Sequence, residues 1–288
     1  MRKLLVPTDY SNGSMKAFDF ACHLAQAIGH EVMLAHVYQM PILSSNVDEK
    51  ALKHEREKIE EAEFNKLGDF MRKYGESRKS ADLHDLHFDL RIAEGEAGDV
   101  IGQLARKEDV DLIVMGHKGM TDNPDAVMGS VAVSAVRNTT CPVLIIPDEA
   151  EYKMPEHILY AMDLEFCDAD VIEALKKFAQ RTKSRVTMLY IQSDGHFMGS
   201  QQMDSYHRAI DLTMDFENLK IEILEPLDED GRVDLVNDLE AYASGNNVDM
   251  LAVLSRRHAE MPEAFMRGIT KAMLTGVRRP LLVFHSTN

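Results

Sequence analysis

Leu4-Leu5-Val6-Pro7-Thr8-Asp9 and Ile158-Leu159-Tyr160-Ala161-Met162-Asp163 are two apolar runs of strand length, each closed by an aspartate. The segments after them are also alike. Ala17, Phe18, Ala21, Leu24, Ala25 and Ile28 recur at helical spacing before Gly29, a stop signal. Val171, Leu175, Phe178 and Ala179 repeat that pattern in the second half. A second apolar run comes next, Val32-Met33-Leu34-Ala35-His36-Val37 in one half and Val186-Thr187-Met188-Leu189-Tyr190-Ile191 in the other. Asp9 to Val37 is 28 positions, and Asp163 to Ile191 is 28 again, so the chain reads as an internal repeat.

The halves also end alike. Asp111-Leu112-Ile113-Val114-Met115 and Asp249-Met250-Leu251-Ala252-Val253-Leu254 are near-continuous apolar runs. So are Pro142-Val143-Leu144-Ile145-Ile146 and Pro280-Leu281-Leu282-Val283-Phe284. Unbroken runs mark strands covered on both faces. Helical stretches lie between them, such as Val100-Ile101-Gly102-Gln103-Leu104-Ala105. The alternation predicts two tandem α/β domains, each a doubly wound, mainly five-stranded parallel sheet with helices on both faces. The boundary is expected at Asp148-Glu149, giving domains 1–148 and 149–288. Glu49 to Arg72 is charged and helical in composition, with Leu52, Ile59 and Phe64 as expected inward positions.

The 288 residues carry 48 acidic and 32 basic side chains, a net of −16. Residues 1–150 hold 25 acidic and 17 basic, and 151–288 hold 23 and 15, so each half is at −8. Neither half is a basic module, which argues against nucleic acid and anionic membranes as partners. No apolar run reaches the ~18 residues of a membrane helix, and the first apolar stretch is too short for a secretory leader, so a cytoplasmic protein is expected. Cys22, Cys141 and Cys167 stand far apart, outside any C-x-x-C pair, and read as buried small hydrophobes. His84-x2-His87 with Asp85 lacks a fourth ligand and is a poor metal motif.

The chemistry concentrates after the fourth strand of the first half. Gly116-His117-Lys118-Gly119 is followed nine residues later by Gly129-Ser130-Val131, which opens a helical segment. In a doubly wound sheet ligands sit beyond the carboxyl ends of the strands. A helix N-terminus offers free N–H groups and partial positive charge to a phosphate. Ser130 adds a hydroxyl and Lys118 a point charge. On residue chemistry alone, the glycines serve equally as turn punctuation and Ser130 as a helix cap. The spacing is neither that of the P-loop nor of the G-x-G-x-x-G dinucleotide fingerprint.

Gly116-x2-Gly119-x9-Gly129-Ser130 resembles the nucleotide-binding signature of the universal stress protein family in its ATP-binding branch. Val6-Pro7-Thr8-Asp9-Tyr10-Ser11, Glu94-Gly95-x-Ala97, Asp111 to Gly116 and Cys141-Pro142-Val143-Leu144-Ile145 fall in the family's order. The resemblance implies that Pro7, Thr8 and Asp9 line the adenosine end, with the aspartate near the ribose. It implies that Val37 flanks the adenine and that Met115 and Gly116 lie against the nucleoside. It places Lys118, Gly119, Gly129, Ser130 and Val131 around the phosphates, with magnesium as a possible companion of the triphosphate. Ala132 departs from the pattern, since many ATP-binding relatives have Ser or Thr there.

Half two departs further. Ser255-Arg256-Arg257-His258 replaces the early glycines, and Gly268-Ile269 lacks the hydroxyl. No ATP is expected there; Arg256, Arg257 and Arg267 could hold another anion or pair with acidic surface residues.

The resemblance implies a stress-linked regulatory role with slow hydrolysis at most. It also implies pairing of the two units through their last strands, with a further homodimer of the chain as an option. A non-nucleotide-binding scaffold with a vestigial site is the alternative reading. An enzyme acting at the nucleotide α-phosphate is least favoured, because no Ser-Gly-Gly loop follows the first strand.

Overall fold

The structure is a computed structural model that describes residues 3–40, 49–77, 86–119, 129–162, 168–191, 199–224, 235–255 and 278–286. The chain divides into two compact units, Met1–Asp148 and Glu149–Asn288.

Unit 1 runs β1 (Lys3–Pro7), α1 (Asn12–Ile28), β2 (Glu31–Tyr38), α2 (Glu49–Ser77), β3 (Phe88–Glu94), α3 (Ala97–Lys107), β4 (Val110–Gly116), α4 (Ser130–Asn138) and β5 (Val143–Ile146). Its strands lie in the order β3-β2-β1-β4-β5, with every neighbouring pair parallel. The steps from β1 to β3 run one way across the sheet, and the steps from β4 to β5 run the other. Right-handed crossovers therefore put α1 and α2 on one face and α3 and α4 on the opposite one. The order reverses between β1 and β4, so the carboxyl ends of those strands flank a crevice.

Each element has a visible cause. The central strands are apolar throughout, with Leu4, Leu5, Val6, Ile113 and Val114 fully buried between the helical layers. Ser11 caps α1 by accepting the Ser14 N–H at 3.1 Å, and Gly29 ends the helix in the left-handed region at φ 70°. α3 and α4 cross through glycines. A Cβ on Gly98 would lie 2.4 Å from the Ser134 Cβ, and one on Gly102 would lie 2.5 Å from the Asn138 carbonyl oxygen. α2 is longer than its composition predicts, and its inward stripe lies elsewhere. Leu52 and Phe64 are exposed and Ile59 is half-buried, whereas Leu67, Phe70 and Tyr74 are buried. Those three sit at i, i+3 and i+7, and Phe70 and Tyr74 pack their rings on Phe18 of α1.

Unit 2 runs β6 (His157–Ala161), α5 (Ala169–Thr182), β7 (Arg185–Ile191), α6 (Ser200–Thr213), β8 (Leu219–Leu224), α7 (Leu235–Gly245), β9 (Met250–Ser255) and β10 (Leu281–His285). The order β8-β7-β6-β9-β10, again all parallel, matches unit 1 strand for strand. The repeat extends to single hydrogen bonds. Thr8 N–H donates to the Ala35 carbonyl at 2.8 Å, and Met162 N–H donates to the Leu189 carbonyl at 2.8 Å. His30 N–H donates to Ala25 O, and Ser184 N–H to Ala179 O. The left-handed stop at Gly29 recurs at Lys183, with φ 58°. These pairs keep one offset along the chain, as a duplicated βαβ unit requires. Among the described residues, no helix is long and apolar enough to cross a membrane.

Candidate functional site

A cavity of about 260 Å³ opens at the reversal point between β1 and β4. It falls just below the roughly 300–1,000 Å³ typical of small-molecule sites. The strand ends supply Pro7, Thr8 and Asp9 from β1, Val37 from β2, and Met115 and Gly116 from β4. Ala97 and Ile101, one turn apart on α3, close one side. His117, Lys118 and Gly119 follow β4, and Gly129, Val131 and Ala132 belong to the start of α4.

The turn after β1 is tightly braced. The Thr8 hydroxyl accepts the Tyr10 N–H at 3.0 Å and shares a hydrogen bond with the Ser14 hydroxyl at 2.9 Å. One Asp9 carboxylate oxygen accepts the Ser11 N–H at 3.0 Å. Tyr10 itself sits in the left-handed region, at φ 66°. A tyrosine there costs of order 1–2 kcal/mol, so its surroundings must hold it. Burial and the neighbouring Glu63 push the Tyr10 phenol far up, so its hydroxyl stays a donor.

The turn after β4 meets it backbone to backbone. A Cβ on Gly116 would lie 2.9 Å from the Gly13 carbonyl carbon, and one on Gly13 would lie 2.9 Å from the Lys118 carbonyl oxygen. Glycine is needed at both places because main chain faces main chain. His117 N–H donates to Ile146 O, and the His117 carbonyl accepts the Gly129 N–H at 2.8 Å. That last bond brings Gly129 back to the strand end across residues 120–128, which lie outside the described residues. α4 then begins with Gly129 at its N-cap and no side-chain cap. α3 also begins at the cavity, and its N-cap Glu96 makes no side-chain bond to it. Two helix N-termini thus face one crevice, whose lining charges are Asp9 and Lys118.

Ten of the eleven expected site residues, all but Ser130, line this cavity. Ser130 is exposed and is not among the lining residues. The sequence reading missed Ser14, Ile101 and the close approach of Gly13. Ala97 stood in a quoted motif, and its i, i+4 spacing to Ile101 was the available signal for that wall. Ala132, expected as a departure, lines the cavity with no hydroxyl to offer.

The counterpart in unit 2 is only partly described. Met162 stands where Thr8 stands in unit 1 and is buried. Ser255, at the end of β9, is buried with its hydroxyl unpartnered among the described residues. Asp163, Arg256, Arg257, His258, Arg267, Gly268 and Ile269 lie outside the described residues, as do His84, Asp85 and Cys167. Among the described residues, no group of three or more His, Cys, Asp or Glu side chains could hold a metal ion.

Residues 1–147 match the universal stress protein family. A universal stress protein of Methanocaldococcus jannaschii is 27% identical over 150 residues, covering 50% of this chain and 81% of that protein. One of Bacillus subtilis is 28% identical over 151 residues, covering 50% and 97%. The crystal structure of a universal stress protein from Archaeoglobus fulgidus superposes with a TM-score of 0.67 at 17% identity, covering 98% of each chain. At that identity the superposition speaks to the fold, and it extends the fold over both units.

Proposed function

The chain belongs to the universal stress protein family, and on that premise we propose that its first unit binds ATP, or a related adenine nucleotide, in the crevice between β1 and β4. The carrying observation is the mixed lining of the cavity. Val37, Met115, Ala97 and Ile101 are apolar side chains suited to a base. Lys118, Gly119 and the uncapped start of α4 at Gly129 are suited to phosphates. Asp9 also lines the cavity, and its carboxylate can accept ribose hydroxyl protons. Magnesium would travel on the triphosphate oxygens, with Asp9 as the carboxylate that the lining offers.

The proposed role is regulatory, with weak or no hydrolysis and a nucleotide that reports on cell state. Unit 2 has Met162 and Ser255 in place of Thr8 and Gly116 and is proposed to bind none. β5 and β10 end the strand order of their own units and are apolar. Such edges need cover, and pairing of the two units, or of two chains, through these strands would provide it.

Titration calorimetry with ATP and AMP tests the reading. One ATP per chain is expected, and no heat from a folded sample overturns it in favour of a scaffold with a vestigial site. Gly129→Asp is the decisive variant. Aspartate is a strong N-cap, so the helix keeps its stability. Its carboxylate occupies the position proposed for phosphate, and ATP affinity should fall at least ~10-fold. Normal ATP binding by this variant would refute the phosphate assignment.

A further inference from the structure

The turn that carries Thr8 and Asp9 is fastened to α2 from outside the cavity. His36, next to Val37 on β2, places Nδ1 2.7 Å from the Thr8 carbonyl oxygen. A carbonyl only accepts, so Nδ1 carries the hydrogen. The other ring nitrogen, Nε2, lies 3.4 Å from a carboxylate oxygen of Glu63 on α2. Both side chains are largely buried, at 13% and 14% exposure, which keeps the contact from being a loose surface pair. Each ring nitrogen thus faces an oxygen, the Thr8 carbonyl on one side and the Glu63 carboxylate on the other.

Tyr10 fastens the same turn a second time. Its ring stacks on His36 with centroids 4.4 Å apart and planes 27° apart. Its hydroxyl donates to the Glu63 carbonyl at 3.3 Å, and its ring packs against Phe70, also on α2. Tyr10 is the residue held at φ 66°. Strain of this kind persists only where surrounding contacts over-determine it, and here those contacts come from α2 and β2. Lys66 anchors Glu63 in turn at 2.7 Å.

We propose that His36, bridging the Thr8 carbonyl to Glu63, is a positioning residue that sets the ligand-bearing turn through α2. This deepens the nucleotide reading and rests on it: the turn positioned is the one assigned to the adenosine end. His36 touches no ligand. It holds the Thr8 carbonyl, and the strained Tyr10 behind it, so that Asp9 faces the crevice.

The test uses the full chain and two readouts. The first is amide exchange of Tyr10 and Ser11 without ligand, since those N–H groups bond to the Thr8 hydroxyl and the Asp9 carboxylate. The second is ATP affinity by calorimetry. His36→Leu keeps the bulk and removes both polar contacts. Both amides should exchange faster, and ATP should bind about 3- to 10-fold more weakly, the worth of one such hydrogen bond. His36→Asn restores a donor near the Nδ1 position and should recover both readouts, which a role in packing alone would not do. If His36→Leu fails to fold, Glu63→Ala cuts the contact from the α2 side and is read in the same way.

Unchanged exchange and unchanged affinity in His36→Leu overturn the proposal. Faster exchange with parental affinity also overturns it, because the turn would then move without consequence for the ligand. A parent chain that binds no ATP overturns the nucleotide reading instead, and the exchange arm alone then decides whether His36 holds the turn.

Discussion

Gly13 shows how a single residue can matter without bearing any chemistry. It lies in the first turn of α1, where alanine is the better helix former by about 1 kcal/mol. A Cβ there, however, would meet the Lys118 carbonyl oxygen at 2.9 Å and an Asp148 carboxylate oxygen at 3.3 Å. The first contact is with main chain and cannot rotate away. Gly13→Ala should therefore leave the thermal midpoint within a few degrees of the parent, the helix gain offsetting the clash. It should displace Lys118 and weaken ATP by about tenfold. Gly116→Ala, whose Cβ would meet the Gly13 carbonyl carbon at 2.9 Å, should weaken it further. Paired calorimetry and thermal melts separate the two effects. An affinity unchanged in both variants would show that the backbone clasp between the two turns is irrelevant to the ligand.

At the scale of elements, the duplicated stop of α1 and α5 sets up a comparison inside one chain. Gly29 adopts φ 70° at no steric cost, while Lys183 adopts φ 58° with a Cβ that opposes it. Lys183→Gly should stabilise unit 2 by about 0.5–1 kcal/mol, and Gly29→Ala should destabilise unit 1 by a similar amount. Urea unfolding of both variants checks the signs. The strand alternation, the fivefold strand count in each half and the glycines of the site were legible in the sequence. Parallel strands buried on both faces leave unbroken apolar runs, and phosphate-type loops leave glycines at fixed spacing. The inward face of α2 was not legible. Its stripe consists of Leu67, Phe70 and Tyr74, and the phenol of Tyr74 finds a partner only when folding brings Asp19 within 2.9 Å. Ser14 and the pairing of His36 with Glu63 escaped for the same reason. Each acquires its meaning from contacts with other elements, and local periodicity carries no record of those.

Over the whole molecule, acidification sets two effects against each other. The chain stands at −16 with 12 histidines, so protonating exposed histidines below neutrality relieves self-repulsion. His157 acts in the opposite direction. It is buried at the start of β6, with Nε2 2.9 Å from the Thr187 hydroxyl and Nδ1 3.1 Å from both the Asn246 carbonyl oxygen and an Arg185 guanidinium nitrogen. Burial, reinforced by Arg185 and opposed by the Asn246 carbonyl, holds its pKa below the ordinary histidine value. The unfolded chain therefore binds this proton more readily than the folded one. Its contribution is intact above about pH 6.5 and is lost as the pH falls from there through the folded value. Asp249 adds a second, lower stage. Burial alone would raise its pKa, but the Lys153 ammonium at 2.8 Å and the amides of Glu156 and His157 outweigh that and hold it below the usual carboxylate range. Its contribution is present above about pH 3.9 and disappears as the pH falls through the folded value. Urea unfolding between pH 7.5 and 3, in parent and His157→Gln, separates these effects. The parent should lose stability on the acid side of about pH 6.5 despite its falling net charge. His157→Gln should be less stable at neutral pH by about 1–3 kcal/mol, because the Arg185 and Thr187 partners lose geometry, but nearly level down to about pH 5. A parent curve that rises on acidification, in step with the variant, would mean that relief of charge repulsion governs the molecule and that His157 does not.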